Sequence, residues 1–181
     1  MEPLDGKTIA FLIFDNFEES DYVACSDMLE NLGAVTEIVS PNDGPLQGLN
    51  YLDYGASFVV NRTLPQAKAS EYDALVVPGG AVNIDELRQD PRAHDFLRAF
   101  EHLAKPIVLI GHAPWLAVSA GIVEGVRLTS APSLQPDITN AGGEWTEQET
   151  VRDGVFITSR SADTVDMLTD LLMEAIDEQA V

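Results

Sequence analysis

The chain has 181 residues, enough for one sizeable α/β or α+β domain with a substantial buried core. Thirty acidic residues against ten lysines and arginines leave a formal charge of −20, which argues against nucleic acid and anionic membranes as partners. The single cysteine, Cys25, rules out an internal disulfide and a multi-cysteine metal site.

Only three of the bases are lysines (Lys7, Lys68 and Lys105), a composition that fits a salt-adapted surface where counterions screen self-repulsion better than it fits the alternative, an ordinary acidic protein. The opening MEPLDGKT has neither the basic start nor the apolar run of a secretory signal, and no stretch is long enough to span a membrane. A soluble, cytoplasmic protein is expected.

In chain order, KTIAFLIF (7–14) is a nearly continuous apolar run, as in a central parallel strand covered on both faces. Glu18, Glu19 and Asp21 open a helix carrying Tyr22, Val23, Met28, Leu29 and Leu32 at helical spacing, with Gly33 as its stop. A strand follows over Val35 to Val39, then a loop containing Pro41, Gly44, Pro45 and Gly48. Residues 50–62 hold short alternating pieces that predict an added hairpin or edge strand, and Thr63 before Leu64-Pro65 predicts the cap of a short helix. ALVV (74–77) predicts a buried strand ending at Pro78-Gly79-Gly80.

A helix is expected from about Pro91 to Leu103, then a strand over Pro106 to Ile110 and a helix after Pro114. The tail predicts a short strand near Arg127 to Thr129, a turn at Asp153-Gly154 and a final helix from Ser161. That helix would bury Val165, Leu168, Leu171, Leu172 and Ile176. Alternating strands and helices with no linker or repeat imply one α/β domain over 1–181, a parallel sheet sandwiched by helices.

Ligands of such sheets collect at the carboxyl ends of the strands. Three segments should meet there: the acidic turn Asp15 to Asp21, the Pro-Gly-Gly turn at 78–80, and Gly111-His112. Gly79 and Gly80 allow a sharp bend that aims backbone N–H groups inward, forming an oxyanion hole or anion nest with the turn before Pro114. Diglycine turns are common, so on its own this pair specifies only a bend. His112 is the candidate acid or base, whereas His94 and His102 lie on a charged helix that reads as solvated surface. Asp85 or Asp21 could orient the His112 imidazole, although acids near helix starts are also favoured by the dipole. No ligand spacing suggests a metal, and no cofactor is expected. Cys25, one turn after Asp21, reads as a structural thiol about 5–6 Å further from the strand ends.

DNFEESDY, YDALVVPGG, KPIVLIGHAPWLAVSAGIVEGVRLTS, ITNAGGEW and GVFITSRSADT resemble, in order, the signature stretches of the ThiJ/PfpI family, a branch of the class I glutamine amidotransferase-like superfamily. The resemblance spans nearly the whole chain. It implies a flavodoxin-like three-layer sandwich and a homodimer or hexamer. Members of that family are described as cysteine peptidases, glyoxalases or deglycases, chaperones and stress proteins. In such proteins the elbow typically reads Ile-Cys-His-Gly-Pro, where this chain has Ile110-Gly111-His112-Ala113-Pro114. By that resemblance Gly111 stands in place of the nucleophilic cysteine and Asp21 in place of the helix glutamate. Asp85 corresponds to the carboxylate that orients the histidine from a neighbouring subunit. Gly80 and His112 would supply the oxyanion N–H groups. Ala131 stands about where many relatives carry an active-site tyrosine.

Glycine cannot replace a thiolate nucleophile, so cysteine-dependent hydrolase or glyoxalase chemistry is not expected. The expected role is binding, regulatory or stress-related, with a small molecule or anion in a pocket lined by Gly79, Gly80, Gly111 and Ala131. The alternative is an altered hydrolase or hydratase in which His112, with Asp85, activates water. Catalysis through Cys25 is a third and weaker reading, because of its distance from the strand ends.

Overall fold

Each apolar run serves two cores at once, because successive side chains of a strand point to opposite faces of the sheet. In the computed structural model, which describes residues 2–179, Ile9, Phe11 and Ile13 face one cluster while Ala10 and Leu12 face the other. Leu75 and Val77 alternate with Ala74 and Val76 in the same way, as do Ile107 and Leu109 with Val108 and Ile110.

The strands are β1 (Thr8–Leu12), β2 (Phe17–Glu18), β3 (Val35–Ser40), β4 (Pro45–Asn50), β5 (Asp53–Val59), β6 (Arg62–Thr63), β7 (Ala74–Val77), β8 (Ile107–Ile110), β9 (Arg127–Leu128), β10 (Glu144–Trp145), β11 (Thr150–Asp153) and β12 (Phe156–Ser159). The helices are α1 (Glu19–Asn31), α2 (Ala81–Leu87), α3 (Pro91–His102), α4 (Pro114–Ala120), α5 (Gln135–Asn140) and α6 (Val165–Gln179). Seven strands form the main sheet in the order β11-β12-β8-β7-β1-β3-β6. Every pairing is parallel except β11 with β12, which is the hairpin turning at Asp153-Gly154.

One face of the sheet is covered by α1 and α6, which contribute Leu29, Leu168, Leu172 and Ile176 to the core. The other is covered by α2, α3 and α4, through residues such as Ile84, Phe96, Phe100 and Leu116. This is the expected flavodoxin-like three-layer α/β sandwich. Local chemistry sets the helix ends. Asp90 accepts the Arg92 N–H and Pro91 occupies the first turn of α3, while Gly121 ends α4 with φ +74°.

Three sequence expectations need correction. The added hairpin is β4–β5, spanning Pro45 to Val59, so the segment read as a loop with Pro45 and Gly48 is its first strand. Gly48 sits in that strand because the Glu19 carboxylate occupies the space a Cβ would need, at 2.6 Å. Thr63 ends β6 and caps no helix: its carbonyl accepts the Gln66 and Ala67 N–H groups of a turn, and the following one-turn 3-10 helix is Ala69–Glu71. The last helix begins at Val165, after a 3-10 turn that Ser161 caps by accepting the Asp163 N–H; within it Val165 and Leu171 are only partly buried. The short helices α2 and α5 are additional to the elements expected from the sequence.

Candidate functional site

The turns after β1, β7, β8 and β12 meet at the carboxyl ends of adjacent parallel strands and line one cleft of about 510 Å³. At its base, Gly111 turns the chain out of β8 with φ +60°. Its N–H donates to the Ser159 carbonyl and its carbonyl accepts the Ala131 N–H, both at 2.8 Å, so the turn is anchored on two sides. A Cβ placed on Gly111 would lie 3.6 Å from the Arg160 carbonyl and 3.9 Å from Asp21 Oδ2, ordinary contact distances. The site therefore has room for a side chain that the sequence does not supply.

The facing turn is built differently. A Cβ on Gly79 would lie 2.6 Å from Asp21 Oδ2 and 3.1 Å from the Ile110 carbonyl, and one on Gly80 would lie 2.7 Å from the Glu18 nitrogen. Gly80 also has φ +97°. Both glycines are required by close approach. Asn83, fully buried on α2, locks this turn to the segment that follows β1. Its Oδ1 accepts the Phe14 N–H at 2.6 Å, and its Nδ2 lies 3.3 and 3.2 Å from the Pro78 and Gly79 carbonyls.

Asp21, in the first turn of α1, is 6 % exposed, and its Oδ2 accepts the Gly79 N–H at 2.9 Å. Burial pushes its carboxyl up to about 6; the Gly79 hydrogen bond opposes that rise and the charge of Glu18 adds to it. His112 is half-buried, with Nε2 3.5 Å from Ser133 Oγ. Burial lowers its pKa, so the imidazole is neutral at pH 7. The N–H groups of Gly80 and His112 have no partner among the described residues, and both residues line the cleft. Two free backbone N–H donors in such a cleft can bind a carbonyl oxygen.

The structure thus brings together Asp21, Gly80, Gly111, His112 and Ala131, with Gly79 directly behind them. Asp85 does not join them within the chain. It is exposed on α2, makes no side-chain hydrogen bond among the described residues and lies outside the cleft lining. Cys25 does not line the cleft either. It is buried in the core beside Val76, Val108, Leu168 and Leu172, where burial pushes its thiol up to about 12. That placement sets aside the reading of Cys25 as a nucleophile.

Glu18, Tyr51, Leu52, Arg160 and Ser161 also line the cleft, and Asn83 supports it from behind, beyond the residues expected from the sequence. Glu18 lies in DNFEESDY, and Arg160 and Ser161 lie in GVFITSRSADT, so a signal existed for them. Tyr51 and Leu52 carried none. Among the described residues, no three His, Cys, Asp or Glu side chains converge as metal ligands, and no helix is long and apolar enough to cross a membrane.

A DJ-1/PfpI family model matches residues 7–175. The chain is 34 % identical over 159 residues to a protein/nucleic acid deglycase of Escherichia coli, covering 87 % of this chain and 91 % of that one. It is 32 % identical over 152 residues to a deglycase of Pyrococcus horikoshii, covering 84 % and 89 %. Its fold superimposes with a TM-score of 0.88 on a two-domain protein of Anabaena variabilis with DJ-1/ThiJ/PfpI-like and ferritin-like domains. That match, at 24 % identity, covers 94 % of this chain and 48 % of the other.

Proposed function

The chain belongs to the DJ-1/PfpI family, and we propose that within it this protein is a binding member, holding a small carbonyl compound at the elbow without covalent capture. One observation carries this reading. Gly80 and His112 line the cleft together with Asp21 and their N–H groups have no partner among the described residues, but the turn residue before His112 is Gly111, and the sole thiol lies in the core. Two relatives of the same family are named deglycases, and a carbonyl oxygen is the acceptor that suits a pair of backbone N–H donors.

Charge narrows the ligand. Glu18 and Asp21 line the cleft, while the Arg160 guanidinium already faces Glu149 and the Glu147 carbonyl at 3.5 and 3.3 Å. A neutral carbonyl suits this surface at pH 7, and a small anion suits it only when Asp21 holds its proton. The binding would serve a regulatory or stress-related role in a homo-oligomer, where Asp85 of a neighbouring copy would approach His112.

A second reading, water activation by His112, is favoured by one feature: the imidazole is neutral at pH 7 and therefore able to accept a proton. The deciding experiment screens small esters, amides and dicarbonyls with native protein, His112→Ala and Gly111→Cys. Binding without turnover in native protein, with turnover gained in Gly111→Cys, is the expected result. Native turnover abolished in His112→Ala would replace the binding reading with the hydrolytic one.

A further inference from the structure

The cleft has a polar floor and an apolar mouth, and the mouth has no role yet. Among the described residues eight large hydrophobic side chains are exposed, and three of them, Tyr51, Leu52 and Val82, line this one cleft. Tyr51 and Leu52 are 83 % and 78 % exposed at the tip of the β4–β5 hairpin; Val82, on α2, comes from a different element. Single exposed apolar residues need no explanation, but a cluster around a cleft does.

The hairpin is pinned from below. Glu19 accepts the Ala56 N–H at 2.6 Å, in a space that exists only because Gly48 and Gly55 lack side chains. Asp15 accepts the Gln47 N–H, and the Gln47 side chain donates to the Gly48 and Gly55 carbonyls, at 2.8 to 3.0 Å. Asn50 pairs with Asp53, which leaves Tyr51 and Leu52 as a two-residue loop. Tyr51 has φ +58°, and its N–H donates to Glu18 Oε2 at 3.3 Å. Glycine is the preferred first residue of a two-residue loop with positive φ there, so a tyrosine bears a conformational cost at this position. The tip is thus fixed over the cleft, with an aromatic ring where the backbone favours no side chain.

We infer that Tyr51 and Leu52 are specificity-determining residues that select carbonyl compounds carrying an uncharged aromatic or branched apolar body. This rests on the binding role proposed for the elbow. The carbonyl oxygen would meet the Gly80 and His112 N–H groups, and the body would lie between the hairpin tip and Val82. A volume of about 510 Å³ accommodates a substituted benzene ring. The acidic lining disfavours an anionic body.

The test compares acetamide with phenylacetamide, two neutral and unreactive carbonyl probes, by NMR titration of the His112 ring resonances at pH 7. Native protein is expected to bind phenylacetamide at least about tenfold more tightly. In Tyr51→Gly/Leu52→Ser the preference should fall to within about twofold, through loss of phenylacetamide affinity. Glycine at 51 relieves the backbone, so this variant does not put folding at risk. If acetamide binds but the preference is missing in native protein or survives in the variant, the selectivity role is overturned and the elbow reading stands. If neither probe shifts His112, the elbow reading fails and this inference fails with it.

Discussion

Asp21 Oδ2 accepts the Gly79 N–H at 2.9 Å, tying the first turn of α1 to the glycine turn 58 residues later. The same carboxyl lies 3.9 Å from the position of a Cβ on Gly111. It therefore adjoins both walls of the elbow, and its protonation decides what charge the cleft presents.

Asp21 should make folding stability fall with rising pH. Its folded pKa of about 6 exceeds the ordinary 3.8, so the native state holds the proton more tightly than the unfolded state. The stability linked to that proton is complete below about pH 4 and lost as pH rises through about 6, amounting to about 3 kcal/mol in all. Asp21→Asn should remove this slope and be the more stable protein at pH 7 to 8. Urea unfolding of both proteins from pH 4 to 8 checks it, and parallel curves would contradict the assignment.

The two cleft glycines with positive φ should differ in tolerance. Gly111→Ala meets only ordinary contacts and should cost about 1–2 kcal/mol from its backbone conformation. Gly80→Ala would set a Cβ 2.7 Å from the Glu18 nitrogen and 3.1 Å from Phe17 backbone atoms, so it should cost more and displace the turn. Thermal unfolding of the two variants ranks them, and an equal loss would refute the contrast.

Asn83→Ala should cost about 1–3 kcal/mol, since it strands the part-buried Phe14 N–H and removes the donors to the Pro78 and Gly79 carbonyls. The Gly80 N–H should lose its fixed aim as well. Denaturant unfolding together with probe binding reports both effects, and a near-native variant would show that the turn holds without this clamp.

Cys25 should resist thiol reagents in the native state and react fully once unfolded, because the thiolate is unavailable in its apolar site. Gly111→Cys should add one site that is labelled under native conditions. Mass spectrometry after iodoacetamide treatment counts the labels. Native modification of Cys25 would show that the core around it opens.

Much of the fold was legible because its signals are local. A continuous apolar run such as ALVV marks a strand covered on both faces, and Pro91 and Gly121 mark where helices begin and end. The hairpin was misplaced because Gly48 and Pro45 normally signal a loop. Here a glycine stands in β4 to admit the Glu19 carboxylate, a contact between residues 29 positions apart that no local pattern records.

By itself, the sequence determined the sandwich architecture, the meeting of the 78–80 and 110–114 turns, and the lack of a thiol at the elbow. These follow from periodicity, turn chemistry and residue identity. Only the tertiary structure decided that Asp21 is buried against Gly79, that Asp85 lies outside the cleft lining of its own chain and that Tyr51 and Leu52 line the cleft mouth. The physical reason is that burial and close approach depend on which distant segments pack together. They set a carboxyl's protonation and a ring's location, and neither is encoded in a residue's immediate neighbours.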